Sequence, residues 1–153
     1  MLRSLPILVA AALCLGFAPA PFRKPAPPDP TPAQWKKLQG HWVRVRYYTN
    51  GGTLSRDGNT LMTVSGKGVT YSTNGAPNSW WTMTLDARPS PPILDMQGQP
   101  GPMGTTVFMG VYRLEKDTLI LCARQTRDPA QRPTKVDEHQ MGVLVEVFER
   151  KKP

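Results

Sequence analysis

Reactive side chains are scarce in this 153-residue sequence, which has 2 cysteines and 2 histidines. His41 and His139 stand far apart and outside any His-Glu-x-x-His spacing. The chain has no Cys-x-x-Cys and no Gly-x-Ser-x-Gly, and Gly66-Lys67 is followed by Gly68 where a phosphate loop needs Ser or Thr. These gaps exclude the zinc-protease, dithiol-redox, serine-hydrolase and P-loop classes as their motifs define them. Acidic residues are also few, 11 against 19 Lys and Arg, for a formal charge of +8; that bears on solubility and acidic surroundings but not on fold. No apolar run reaches the about 20 residues of a spanning helix, the longest being Ile7 to Phe17.

What is present points to one domain with extensions, since a domain takes about 100–200 residues. Hydrophobic residues at 39% and charged residues at 20% exclude a polytopic membrane protein and a fully disordered chain. Seventeen prolines and 13 glycines exclude a protein of long helices.

Arg3, the apolar run and Ala18-Pro19-Ala20 form the three zones of a secretory signal, expected over residues 1–20. Ala11-Ala12-Leu13-Cys14 is an incomplete lipoprotein box, with Leu13 too large for the position before the cut. With Cys14 removed, Cys122 is the sole remaining thiol and no intrachain disulfide forms. Residues 21–32 read as a proline-rich linker, extended and semi-rigid, and 33–153 as the folded domain.

Thr31-Pro32-Ala33-Gln34 suits a helix start, with Thr31 as cap and Gly40 as the stop. Beyond it the hydrophobic period becomes two. Eight strands are expected over 42–49, 60–65, 68–73, 79–85, 92–96, 106–114, 118–124 and 141–150. The separators, such as Asn50-Gly51-Gly52, Asp57-Gly58-Asn59, Gly66-Lys67 and Asn74-Gly75, carry turn chemistry. Short strands on short turns give antiparallel neighbours, and eight of them close into a barrel without exposed edges.

Leu38-Gln39-Gly40-His41-Trp42 resembles the opening of lipocalin-like domains. Pro92-Ile93-Leu94-Asp95-Met96, Gly110-Val111-Tyr112-Arg113-Leu114, Asp117-Thr118-Leu119-Ile120-Leu121-Cys122 and Arg132-Pro133-Thr134 resemble, in that order, a family of small exported domains abundant in planctomycete bacteria. The resemblance covers about residues 38–150. It implies an all-β, lipocalin-like, antiparallel up-and-down barrel with a short N-terminal helix, Trp42 plugging one end, and no enzymatic activity or catalytic residues. Two departures stand out: Glu115-Lys116 replaces the family's Asp-Gly hairpin, and Arg44 stands on strand one where the family places an apolar residue.

Strand alternation puts Trp42, Arg44, Arg46 and Tyr48 on one face and Val43, Val45 and Tyr47 on the other. With Trp42 inward, both arginines point inward too and require partners, for which an anionic ligand held bidentately is suited. A bulge just after Trp42 would instead turn both arginines to solvent and the valines inward, an ordinary arrangement for a half-polar strand. Trp80-Trp81 face opposite sides, and aromatic residues including Tyr112 either fill the core or line a pocket. Arg124, Arg127, Arg132 and Lys135 form a basic loop facing one acid, Asp128; Asp137-Glu138-His139 lacks convergent metal-ligand spacing.

The sequence therefore leads to a non-enzymatic, exported, periplasmic or secreted monomer. It would bind a small or extended ligand of anionic preference through Arg44, Arg46, Trp80 and Tyr112. No cofactor, metal, nucleic-acid or membrane-spanning role is assigned. The alternative expectation is a cell-envelope module that binds protein or polysaccharide through its basic outer surface.

Overall fold

The computed structural model describes residues 27–49, 52, 55–56, 58–102 and 104–152. The expected leader over 1–20 with Cys14, the linker up to residue 26, and the turn residues Asn50, Gly51 and Asp57 lie outside the described residues. Among the described residues, helix α1 (Thr31–Leu38) is followed by nine strands: β1 (Gly40–Thr49), β2 (Ser55–Arg56), β3 (Thr60–Ser65), β4 (Gly68–Thr73), β5 (Ala76–Asp86), β6 (Ile93–Gly98), β7 (Val107–Glu115), β8 (Thr118–Gln125) and β9 (Leu144–Arg150).

All pairings are antiparallel, and β3 to β9 pair in sequence order. Strand β1 then pairs with β9 from Trp42 to Thr49. On its other side it pairs with β3 through Gly40 to Val43 and with β2 through Arg46 and Tyr47. The result is a closed eight-strand up-and-down barrel with β2 as a short appendage, the architecture expected. Closure leaves no long unpaired edge among the described strands.

Local sequence explains the turns. Gly66 takes φ 56° between β3 and β4, and Asn74-Gly75 take φ 53° and 82° between β4 and β5, as mirror-image hairpin turns demand. Lys116, in the hairpin that lacks glycine, takes φ 50°, so the side chain is held in the left-handed region that glycine fills at less cost. Strand β5 begins at Ala76, earlier than the run of five turn residues suggests. It accommodates Pro77 and Asn78 with a bulge opposite Tyr71 and Ser72, where a residue without an N–H is tolerated.

Thr31 is not the helix cap. Pro30 holds that position without a side-chain bond, while the Thr31 hydroxyl accepts from the Ala87 N–H at 3.0 Å. It thereby ties α1 to the segment after β5.

Trp42, fully buried, sits beside α1, its indole N–H donating to the Leu38 carbonyl at 2.8 Å. The Arg150 guanidinium lies 4.2 Å over the Trp42 ring and donates to the carbonyls of Gln39, at 2.9 Å, and Lys37. One side chain thus covers the indole and satisfies carbonyls that a helix end leaves unpaired. Above this closed end, Met62, Met83, Leu94, Leu121 and Phe148 fill the interior.

A second apolar cluster lies on the outside of the wall. Tyr48, Val111, Ile120, Cys122, Val145 and Val147 are covered by residues 126–143, with Val136 and Val143 turned toward the strands. Replacing Trp42 by Ala should cost about 3–5 kcal/mol through lost burial and a residual cavity. Trp80→Ala, at a half-exposed site, should stay within about 0.5 kcal/mol. Urea unfolding midpoints of the two variants check both values.

Candidate functional site

The end of the barrel away from α1 holds a cavity of about 370 Å³ lined by Arg44, Thr60, Tyr71, Thr73, Asn78, Ser79, Trp81, Met96, Phe108, Leu144 and Glu146. Its polar floor follows from one irregularity in β1. Arg44 stands opposite Phe148 and Arg46 opposite Val147, so Val45 is an extra residue on this strand. A bulge reverses side-chain parity. Arg44 precedes it and shares the inward face of Trp42; Arg46 and Tyr48 follow it and share the outward face of Val147 and Val145. The structure thus divides the two arginines, because the bulge falls at Val45, two residues later than the position just after Trp42 that would turn both to solvent.

Inside, Arg44 Nη1 donates to Glu146 Oε1 at 2.6 Å and Nη2 to Thr60 Oγ1 at 3.2 Å. The guanidinium also stacks 4.6 Å over the Tyr47 ring. Tyr71 donates its hydroxyl to the other carboxylate oxygen, Glu146 Oε2, at 3.1 Å. Burial first, then the charge and hydrogen bond of Glu146, push the Tyr71 phenol well above its ordinary value of 10.0, so it remains a donor throughout the neutral range. Glu146 is 4% exposed, and a carboxylate so placed must be paired.

The walls differ in chemistry. Along one side, Asn78 Nδ2 donates to Thr73 Oγ1 at 2.7 Å, Ser79 Oγ donates to Asn78 Oδ1 at 3.3 Å, and Thr60 and Thr73 share a contact of 3.4 Å. The rest of the lining is apolar, with Trp81 and Phe108 in an edge-on contact at 5.6 Å and Met96 and Leu144 beside them. Trp81 lies across Gly98 of β6, where a Cβ would come within 3.0 Å of the indole.

Of the four side chains expected to meet a ligand, Arg44 alone lines this cavity. Arg46 faces outward, 3.9 Å from Glu138. Trp80 is outward and 52% exposed, because its neighbour Trp81 pairs with the inward Val69. Tyr112 is inward, but its backbone N–H bonds to Pro92. It lines a different cavity of about 440 Å³ with Gln34, Pro91 and Leu114, and burial pushes its phenol up to about 12.

Glu146 escaped the sequence reading although a signal existed. It is the one charge in Val143-Leu144-Val145-Glu146-Val147-Phe148 and shares strand parity with the inward Leu144 and Phe148.

The basic loop is not a free patch. Arg124 donates to the carbonyls of Gly142 and Met141, Arg127 to that of Thr105, Arg132 pairs with Asp95, and Lys135 with Asp137 at 2.7 Å. Residues 137–139 serve the same fastening: Glu138 accepts from the Tyr48 hydroxyl at 2.9 Å and the His139 ring meets Tyr48 edge-on. Among the described residues no group of three His, Cys, Asp or Glu side chains is placed to hold a metal ion. Burial pushes the Cys122 thiol up, which suppresses the nucleophilic thiolate. No described helix is long and apolar enough to cross a membrane.

Compared with family models, curated proteins and solved structures, the chain matches none of them, so the functional reading rests on this geometry. The Arg44–Glu146 pair should show strong coupling. Glu146→Leu alone, which strands a guanidinium, should cost about 3–5 kcal/mol, whereas Arg44→Met combined with Glu146→Leu should recover most of that loss. A double-mutant cycle by denaturant unfolding checks the sign and size of the coupling.

Proposed function

We propose that this is a non-enzymatic, extracytoplasmic binding protein that takes a small ligand into the mouth of the barrel opposite α1. The observation that carries the reading is the Arg44–Glu146–Tyr71 cluster at the floor of a cavity. A buried ion pair is commonly replaced by apolar residues of like volume without loss of stability, so a barrel under structural selection alone gains nothing from this one. A cavity with convergent polar groups and an aromatic wall is the usual form of a ligand site. The leader pattern of Arg3, Ile7–Phe17 and Ala18-Pro19-Ala20 supports export.

Glu146 alters the ligand preference. Its carboxylate offsets the Arg44 guanidinium at 2.6 Å, so the floor favours a neutral ligand with polar edges over a simple anion. The alternative of a basic outer surface is less favoured, because Arg124 and Arg132 tie residues 126–143 to the wall, Arg127 donates to the Thr105 carbonyl and Lys135 pairs with Asp137.

A neutral fluorescent probe, N-phenyl-1-naphthylamine, tests whether the mouth admits a ligand. Its emission should rise on mixing with the protein. Ser79→Trp, which fills the entrance, should abolish that rise, while Trp80→Ala on the outer face should leave it intact. An undiminished rise in a folded Ser79→Trp variant, or no rise with the native protein, overturns the proposal.

A further inference from the structure

We infer that the ligand of this mouth is a neutral polyhydroxylated ring, a single pyranose unit free or at the end of a glycan; the inference rests on the pocket reading above. Three features of the cavity lead to it. Its volume of about 370 Å³ lies near the lower end of the about 300–1,000 Å³ typical of ligand pockets, which suits one ring rather than an extended acyl chain.

The aromatic wall is built as a platform. Gly98 has no side chain, and this lets the Trp81 indole lie against β6 instead of standing away from it; Phe108 then braces the indole edge-on at 5.6 Å. The electron-rich face of an indole attracts weakly positive C–H groups, and a pyranose presents such a face of axial C–H bonds. An aliphatic chain would need only apolar volume, and a braced indole is no requirement for it.

The lining beside the indole supplies the complementary chemistry, with Ser79 two residues before Trp81 on β5 and Thr73 on the neighbouring β4. Thr73, Asn78 and Ser79 form a connected run of hydroxyl and amide groups at the mouth. Each is both donor and acceptor, so none demands a ligand charge. Sugar hydroxyls have the same dual character and can exchange into such a run in either sense. The bulge at Asn78 brings that side chain to the cavity beside Ser79, in line with the habit of bulges to re-aim side chains beside sites. Below them, Arg44 and Glu146 are charged hydrogen-bonding groups with a combined charge near zero, which discriminates against uronic acids and amino sugars bearing a net charge.

Saturation-transfer NMR with the methyl glycosides of glucose, galactose, mannose and N-acetylglucosamine, and with glucuronate, tests the inference. At least one neutral glycoside should receive magnetisation, strongest at ring C–H protons. Trp81→Ala should abolish the transfer. Asn78→Leu, at an exposed position that leaves the core intact, should weaken binding about tenfold, and Trp80→Ala should change nothing. Absence of transfer to all four neutral glycosides overturns the sugar inference, and so does preferential transfer to glucuronate. If N-phenyl-1-naphthylamine still binds at the mouth, the pocket reading survives that failure; if it does not, both fall.

Discussion

The extra residue at Val45 is the constraint on which the chemistry of this barrel depends. Before it, β1 follows the inward parity set by Trp42; after it, the strand presents Arg46 and Tyr48 to the outside. Without the bulge two guanidinium groups would enter the interior opposite one carboxylate, and an unmatched buried charge is far costlier than a matched pair. With it, Arg44 meets Glu146 in the cavity and Arg46 meets Glu138 on the outer surface. One inserted residue thus divides the charge between two environments, each with its own carboxylate.

The two ends of the barrel are specialised by comparable means. At the α1 end, Arg150 covers Trp42 and donates to carbonyls at the helix terminus, so a cation serves closure. At the other end no such cover is formed by the described residues, and polar side chains gather around the opening. Outside the wall, the segment 126–143 builds a second apolar cluster under a set of hydrogen bonds and ion pairs. Arg124, Arg127, Arg132 and Lys135 each have an intramolecular partner, so a count of basic residues over 124–135 alone misdirects the search for a partner.

The strand pattern was legible because the period of two is written residue by residue. Thr60–Ser65 and Gly68–Thr73 are read with the bounds they have in the structure, and their turn at Gly66 has the glycine its positive φ requires. What was not legible depends on the partner strand. The Val45 bulge is set by where Phe148 and Val147 fall on β9, and alternation extrapolated from Trp42 cannot register a skipped residue. The choice between Trp80 and Trp81 likewise turned on the pairing with Val69 and the Asn78 bulge. Tyr112 lines a cavity other than that of Arg44 because its place near Pro92 is a tertiary fact that strand period does not carry. Glu146 was readable in principle, as a lone acid on the inward parity of an apolar strand.

The 4 tryptophans occupy distinct settings: Trp42 sealed in the closed end, Trp35 on the helix, Trp80 on the outer wall and Trp81 in the mouth. Fluorine NMR of protein carrying 5-fluorotryptophan, titrated with N-phenyl-1-naphthylamine, therefore reports directly on where a guest sits. The account predicts that the Trp81 resonance moves while those of Trp42, Trp35 and Trp80 stay in place. A silent Trp81 resonance, or movement at Trp80 or Trp42 in its stead, contradicts it.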